Sequence, residues 1–220
     1  GAGKTVFLKI LVGLFEPTDG KVMYGDVDFF ALDKKGRRQI RMEIGMLFQG
    51  SALFDSMTVE ENIRFPLDMF TNKTRKEKKM RVDYCLDRVN LEGTNSKYPS
   101  ETSGGMQKRI GIARSIVLEP KYLFCDEPNS GLDPKTSIVI DELIKDITEE
   151  NNITTVINTH DMNSVMEIGD NIALLADGNL VWQGNKTEVL TSTNEQLKNF
   201  IFASPFLQKL RDSALSNNIR

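Results

Sequence analysis

The sequence predicts an α/β fold: a parallel-sheet core interrupted by a helical insertion. Two observations carry this. Strand-length apolar runs recur at "EIGMLFQ" (43–49), "KYLFCDEP" (121–128) and "ITTVINTH" (153–160). Between them lie longer stretches with apolar residues at helical spacing, and such alternation of buried strands with helices builds a parallel sheet. Residues 55–118 read as mostly helical, which makes them an insertion in that core.

Taken in order, "GAGKT" (1–5) is followed by Phe7, Ile10, Leu11 and Leu14, so 6–14 reads as a helix. Pro17 and Asp19-Gly20 make a turn, and "KVMYGDV" (21–27) gives short strands about Gly25. Thr58-Val59-Glu60-Glu61 fits a capping box, so a helix starts there. Residues 73–91 form an amphipathic helix with a basic start, which is either a solvated face or a binding patch. A further helix follows Ser103-Gly104-Gly105 to about Leu118. Residues 133–147 are helical, with Asp133 as cap and Pro134 in the first turn. "NIALLADGNLVWQG" (171–184) reads as a hairpin turned at Asp177-Gly178. Ser192 and Glu195 have capping-box spacing for a last helix that breaks near Pro205. Residues 1–190 therefore read as one domain, with 191–220 as a helical tail. In that tail Leu197, Phe200 and Ile201 share one helix face, continued by Phe206, Leu207 and Leu210. The face packs either on its own domain or on a partner.

The chain has 220 residues, with 28 Lys and Arg against 31 Asp and Glu, a net charge of −3. That balance lacks the basic excess of nucleic-acid binders. Cys85 and Cys125 form no metal or redox spacing and read as reduced thiols of a cytosolic protein. No apolar run approaches the about 20 residues of a membrane span, and no signal peptide is visible.

Four stretches carry chemistry. Gly3-Lys4-Thr5 is the second half of a phosphate-binding G-x-x-x-x-G-K-[ST] loop, with Gly1-Ala2 its last spacers, so the loop's first glycine would precede residue 1. Backbone N–H groups of such a turn and of the helix behind it cradle an anion. Lys4 would reach the β- and γ-phosphates and the Thr5 hydroxyl would ligate Mg²⁺. A plain glycine turn before a helix would read the same. Second, the strand 122–125 ends in Asp126 and Glu127, where an α/β sheet places its ligand chemistry. Asp126 would hold Mg²⁺, and Glu127 would act as general base on the attacking water. Third, His160 is the only histidine and closes another strand. It is either structural or a hydrogen-bond partner of the γ-phosphate and the water. Gln49 could approach the same Mg²⁺ and water. Fourth, Ser103-Gly104-Gly105-Met106 opens a helix and presents unpaired N–H groups to an anion. A second anion cradle suits two chains head to tail, each capping the other's nucleotide.

In this order "GAGKT", "FQ", "SGGM", "FCDEP", "SGLD" and "TH" resemble the ATP-binding-cassette (ABC) ATPases across nearly the whole chain, to about residue 190. The resemblance implies a P-loop NTPase fold of ABC type and ATP hydrolysis with Mg²⁺. It implies a homodimer sandwiching ATP, with Ser130, Gly131, Leu132 and Asp133 as the D-loop between the two sites. It also implies that the first strands and an adenine-stacking aromatic lie before Gly1. Finer features resemble the ATPases of Mla-type phospholipid transport systems. These are Val6 after "GKT", the run "MLFQGSALFDSMTVEENI" (46–63), and Met106 in "PSETSGGMQKR" (99–109). Thr102 departs from that branch, where leucine is usual; Val6 offers phosphate a backbone N–H but no hydroxyl. This resemblance implies a multi-span permease seated on Gly50–Met57, an envelope lipid-binding partner, and a place at the cytoplasmic face of the inner membrane. The alternatives are a transporter motor for another substrate or a soluble ABC-type ATPase. A GTPase is disfavoured because "NKTR" (72–75) and "NKTE" (185–188) do not make the guanine-reading N-K-x-D.

Overall fold

The computed structural model describes residues 2–201. Contacts divide the chain into two compact units, one of Thr5–Thr159 and one made of the described residues 2–4 and 160–201. Helix α1 (Lys4–Leu11) leads into the larger unit. It is shorter than the sequence suggested, because Gly13 turns left-handed at φ +72° and Leu14 is left exposed. A small antiparallel pair, β1 (Met23–Tyr24) and β2 (Val27–Asp28), turns at Gly25 as expected. A 3-10 turn at Phe29–Ala31 and α2 (Lys34–Met42) follow.

The core sheet is parallel, in the order β3-β4-β5, from β3 (Ile44–Leu47), β4 (Tyr122–Asp126) and β5 (Thr154–Asn158). Strand side chains alternate between faces, and the packing follows. Leu47, Leu123, Cys125 and Ile157 pack on one side, while Ile44, Met46, Tyr122, Phe124 and Val156 pack with Leu8, Val12 and Phe29 on the other. Both faces of β4 are covered, which is why its sequence is a continuous apolar run. β5 differs from the buried strand expected. Thr154 is exposed and Thr155, Val156 and Ile157 are half-buried, because among the described residues β5 pairs with β4 alone.

The insertion consists of α3 (Val59–Phe70), α4 (Arg75–Arg88) and α5 (Gly104–Ile116), with a 3-10 turn at Pro99–Glu101 before α5. Reciprocal capping boxes start α3 at Thr58/Glu61 and α4 at Thr74/Glu77. Val59, Ile63, Leu67, Val82, Cys85 and Leu86 join the core that α5 completes with Ile110, Ile112 and Ala113. On α4, Lys78 pairs with Asp68 and Lys79 with Asp83 while Arg75 and Lys76 face solvent, the pattern of a solvated face. Helix α6 (Pro134–Glu150) starts at the Asp133 cap and buries Ile140, Ile144 and Ile147.

In the smaller unit, α7 (Met162–Ile168) precedes the hairpin of β6 (Ile172–Ala176) and β7 (Asn179–Gly184). Asp177 and Gly178 both have positive φ, +49° and +77°, as a tight hairpin turn requires. Helices α8 (Lys186–Thr191) and α9 (Glu195–Ile201) follow. The capping box expected at Ser192/Glu195 lies instead at Asn185/Glu188, on α8. Asn194 opens α9: its Oδ1 accepts the Leu197 N–H at 2.9 Å, while the Ser192 hydroxyl accepts from Asn194 N. Leu197 is buried with Val189, Met162 and Trp182 in this unit's own cluster, whereas Phe200 is exposed. The Ile201 side chain and the continuation through Pro205, Phe206, Leu207 and Leu210 lie outside the described residues.

Candidate functional site

Parallel strands in register bring their C-terminal ends to one edge. Leu47 is level with Cys125 and Asp126 with Asn158, so the segments after β3, β4 and β5 all leave from that edge, where α/β sheets bind ligands. Gly3 adopts φ +88°, a left-handed turn that glycine tolerates, and Lys4 begins α1 directly after it. The first-turn N–H groups of α1, at Lys4, Thr5 and Val6, thus have no intrahelical acceptor. Gly1 lies outside the described residues, and Ala2 precedes the turn.

The Thr5 hydroxyl donates to Asp126 Oδ1 at 3.1 Å, a contact between residues 121 apart in sequence. Asn158 Nδ2 donates to the same oxygen at 3.3 Å. Asp126 is only 4% exposed, so these two donors hold it at the strand end. Thr5 Oγ1 and Asp126 Oδ1 suit Mg²⁺: both are hard oxygens, and adjacent ligands of an octahedral Mg²⁺ shell lie about 3 Å apart. Among the described residues no group of three or more His, Cys, Asp or Glu can hold a metal by itself. That accords with a Mg²⁺ bound through one or two side chains plus phosphate oxygens.

Glu127, the next residue, has φ +50°, in the left-handed region that non-glycine residues avoid. Its N–H donates to the Asn158 carbonyl at 2.9 Å. Its own carbonyl accepts from Ser130 N at 3.1 Å and Lys108 Nζ at 3.4 Å. Strained backbone of this kind persists only where the surroundings fix it. Gln49, exposed two residues past β3, donates through Nε2 to Ser130 Oγ at 3.4 Å, a long bond that places it beside the 130–133 turn. In that turn Gly131 has φ +80°, and Asp133 Oδ1 accepts from Lys135 N and Thr136 N, both at 3.1 Å, capping α6. His160 opens the smaller unit, two residues after Asn158.

Ser103 caps α5, its Oγ accepting Met106 N at 3.3 Å, with Gly104 and Gly105 as the first helical residues. Ser103 and Gly104 are exposed, so the turn faces outward. The Thr102 hydroxyl donates to the Pro99 carbonyl at 2.7 Å. Met106 packs against the core.

Three functional-site neighbours escaped the sequence reading. Lys108 is buried and reaches the carbonyls of both Gln49 and Glu127. Burial lowers its pKa, against the opposing pull of Cys125, Glu127 and Asp126. Asn158 and Asn62 are buried polar residues as well; Asn158 meets Asp126 only through the fold, whereas Asn62 bonds to nearby Phe54, Met57 and Thr58. The one available signal was a polar residue at the end of an apolar strand or in a buried helix turn.

A parallel sheet with a glycine-turned helix N-terminus at its carboxyl edge, joined by Thr5 to Asp126, defines a nucleotide-binding domain of P-loop type. Residues 1–130 match the ABC transporter family, and the chain belongs to it. It is 40% identical over 219 residues to the methionine import ATP-binding protein MetN 2 of Oceanobacillus iheyensis, covering 100% of this chain and 64% of that protein. It is also 40% identical over 201 residues to the Mycobacterium leprae protein named "probable ribonucleotide transport ATP-binding protein mkl", covering 91% of this chain and 58% of that one. The chain thus spans less than two thirds of these relatives. Among solved structures it resembles the ATP-binding cassette MJ0796, a dimer in a post-hydrolysis state bound to ADP and Pi. There the TM-score is 0.77 at 32% identity over 84% of this chain and 81% of that one. Another is cbiO1 of Clostridium perfringens, part of the ABC transporter complex cbiONQ, with TM-score 0.78, 30% identity and coverage of 92% and 80%.

Proposed function

We propose that this chain is the ATP-hydrolysing subunit of an ABC transporter, working as a head-to-tail homodimer. The observation that carries the reading is the Thr5–Asp126 hydrogen bond, with the left-handed Glu127 next in the chain. Gly1, Ala2, Gly3 and the N–H groups of Lys4, Thr5 and Val6 bind the phosphates, and the Lys4 ammonium neutralises their charge. Thr5, Asp126 and Gln49 would hold Mg²⁺, which would supply positive charge against the phosphates. Glu127 takes the proton of the water that attacks the γ-phosphorus as the bond to ADP breaks, and His160 hydrogen-bonds the γ-phosphate. Ser103, Gly104, Gly105 and Met106 cap the partner's ATP, and Ser130–Asp133 runs between the two sites. The likeness to a dimeric cassette bound to ADP and Pi supports the dimer.

No described helix is long and apolar enough to cross a membrane. In this reading a permease supplies the passage. It docks on Gly50–Met57, at the cytoplasmic face of the inner membrane. For cargo we propose phospholipid, delivered with an envelope lipid-binding protein; the runs 46–63 and 99–109 and the Val6 position support this. The names of the relatives favour a second reading, a small solute such as methionine or a ribonucleotide. To decide, the full-length protein carrying Glu127→Gln is purified from membranes in mild detergent, and its proteins and lipids are read by mass spectrometry. A permease with a lipid-binding protein and phospholipid supports the first reading. A permease with a solute receptor replaces the cargo and keeps the motor. A purely soluble partner overturns both.

A further inference from the structure

Helix α5 does more than present the Ser103 turn. Three of its residues, each about a turn apart, meet the segment that follows β3. Lys108 Nζ donates to the Gln49 carbonyl and, at 3.4 Å, to the Glu127 carbonyl. At Gly111 a Cβ would lie 2.8 Å from Leu47 Cδ1 and 3.3 Å from Ser51 Cβ, so the helix backbone rests directly on this segment. Arg114 donates to the Ala52 carbonyl at 2.8 Å and to the Ser51 carbonyl. Ser51 and Ala52 are consecutive left-handed residues, with φ 60° and 47°, and Glu127 is left-handed as well. Each of the three strained peptides at this edge therefore offers its carbonyl to a cation on α5. Charge-assisted bonds of this kind are stronger than neutral ones, and they hold conformations that the residues alone would leave.

We propose that Lys108 is a positioning residue for hydrolysis, joining the Gln49 loop and the Glu127 turn to α5 so that the three move as one body. Lys108 bonds to backbone carbonyls and acts through the placing of Glu127. Arg114 extends the same clamp to Ser51 and Ala52. A push on the segment after Gln49 is then passed at once to the Glu127 turn and to the Ser103 turn at the start of the same helix. The inference rests on the ATPase reading above.

The test uses the full-length protein in its complex, with Lys108→Met, Lys108→Gln and Lys108→Arg. Steady-state kcat and KM for ATP are measured beside the melting temperature. Lys108→Met is expected to lower kcat about tenfold or more with KM within about twofold, since an interaction expressed in the transition state alone lowers kcat. Lys108→Arg, which restores a cation, is expected to recover most of that loss. Should Lys108→Met not fold, Lys108→Gln reads the same split, because it keeps a donor and loses the charge. A wild-type kcat in the folded variant overturns the proposal. So does a loss that appears equally in KM, or one that Lys108→Arg fails to recover. A wild-type complex without Mg²⁺-dependent hydrolysis marks failure of the ATPase reading itself, which the variants do not influence.

Discussion

Asn62 offers the sharpest test of how the segment 50–57 is held. It sits on α3 with no exposed surface. Its Nδ2 donates to the carbonyls of Phe54 and Met57, both at 3.1 Å, and of Thr58 at 3.0 Å, while Oδ1 accepts the Phe54 N–H at 2.8 Å. In Asn62→Ala the Phe54 carbonyl keeps its bond from Met57 N at 3.1 Å, and the Thr58 carbonyl keeps Asn62 N at 2.9 Å. The loss falls on the Phe54 N–H and the Met57 carbonyl. A buried polar group stripped of its partner costs about 1–3 kcal/mol. These two lie in a half-exposed loop where water can reach, so we expect about 2–3 kcal/mol in all. For a chain of this size, that lowers the melting temperature by about 4–12 °C. Scanning calorimetry reads it, and limited proteolysis should cut 50–57 faster. Asn62→Asp should cost at least as much, because a carboxylate then faces three carbonyls. An Asn62→Ala protein within about 0.5 kcal/mol of wild type, the range of ordinary surface substitutions, would refute the reasoning.

Burial pushes the Cys125 thiol up to about 12 and the Cys85 thiol to about 11. Neither should be alkylated by iodoacetamide at pH 8 in the folded protein, and both should react in denaturant; mass spectrometry counts the adducts. Tyr24 is buried and donates to the Leu11 carbonyl at 2.8 Å. Tyr24→Phe should cost about 1 kcal/mol, read as a shift in the denaturation midpoint. The Glu61 and Glu77 carboxyls are held below the ordinary 4.5 by bonds from Thr58 and Thr74, and Asp133 below 3.8 by bonds from Thr136. Their folded values are depressed, so their stabilisation is full above the ordinary values and is lost as pH falls through the lower folded ones. Thr58→Ala removes the side-chain bond to the carboxylate and keeps the backbone one, so its melting-temperature gap from wild type should be smaller at pH 3 than at pH 7.

What the sequence made legible was local. The apolar run ending at Asp126 announces a strand because both faces of β4 are covered. Thr58/Glu61 and Asp133-Pro134 announce helix starts because a cap acts within four residues. Asp177-Gly178 announces a hairpin because its φ values demand such residues. The capping-box pattern erred at Ser192, since Asn185-Lys186-Thr187-Glu188 satisfies the same rule. Helix α2 went unread, having no buried residue to give it an apolar stripe. The candidate site was legible as residue types at strand ends. Lys108 was not: on a helix that buries Ile110, Ile112 and Ala113 it reads as one more surface cation. Only the approach of α5 to β3 and β4 shows that its ammonium reaches two carbonyls. The left-handed Glu127 likewise depends on bonds to Asn158, Ser130 and Lys108, which local sequence does not encode.

The most direct test of the account is Mg²⁺-dependent phosphate release by the full-length protein assembled with its partners, wild type against Glu127→Gln. ATP binding is followed in parallel. We expect the wild type to hydrolyse ATP only with Mg²⁺, and Glu127→Gln to bind ATP while losing about a hundredfold or more in rate, the scale of a lost general base. Hydrolysis by Glu127→Gln at the wild-type rate would contradict the account, as would a wild-type assembly that binds Mg²⁺-ATP and never turns it over.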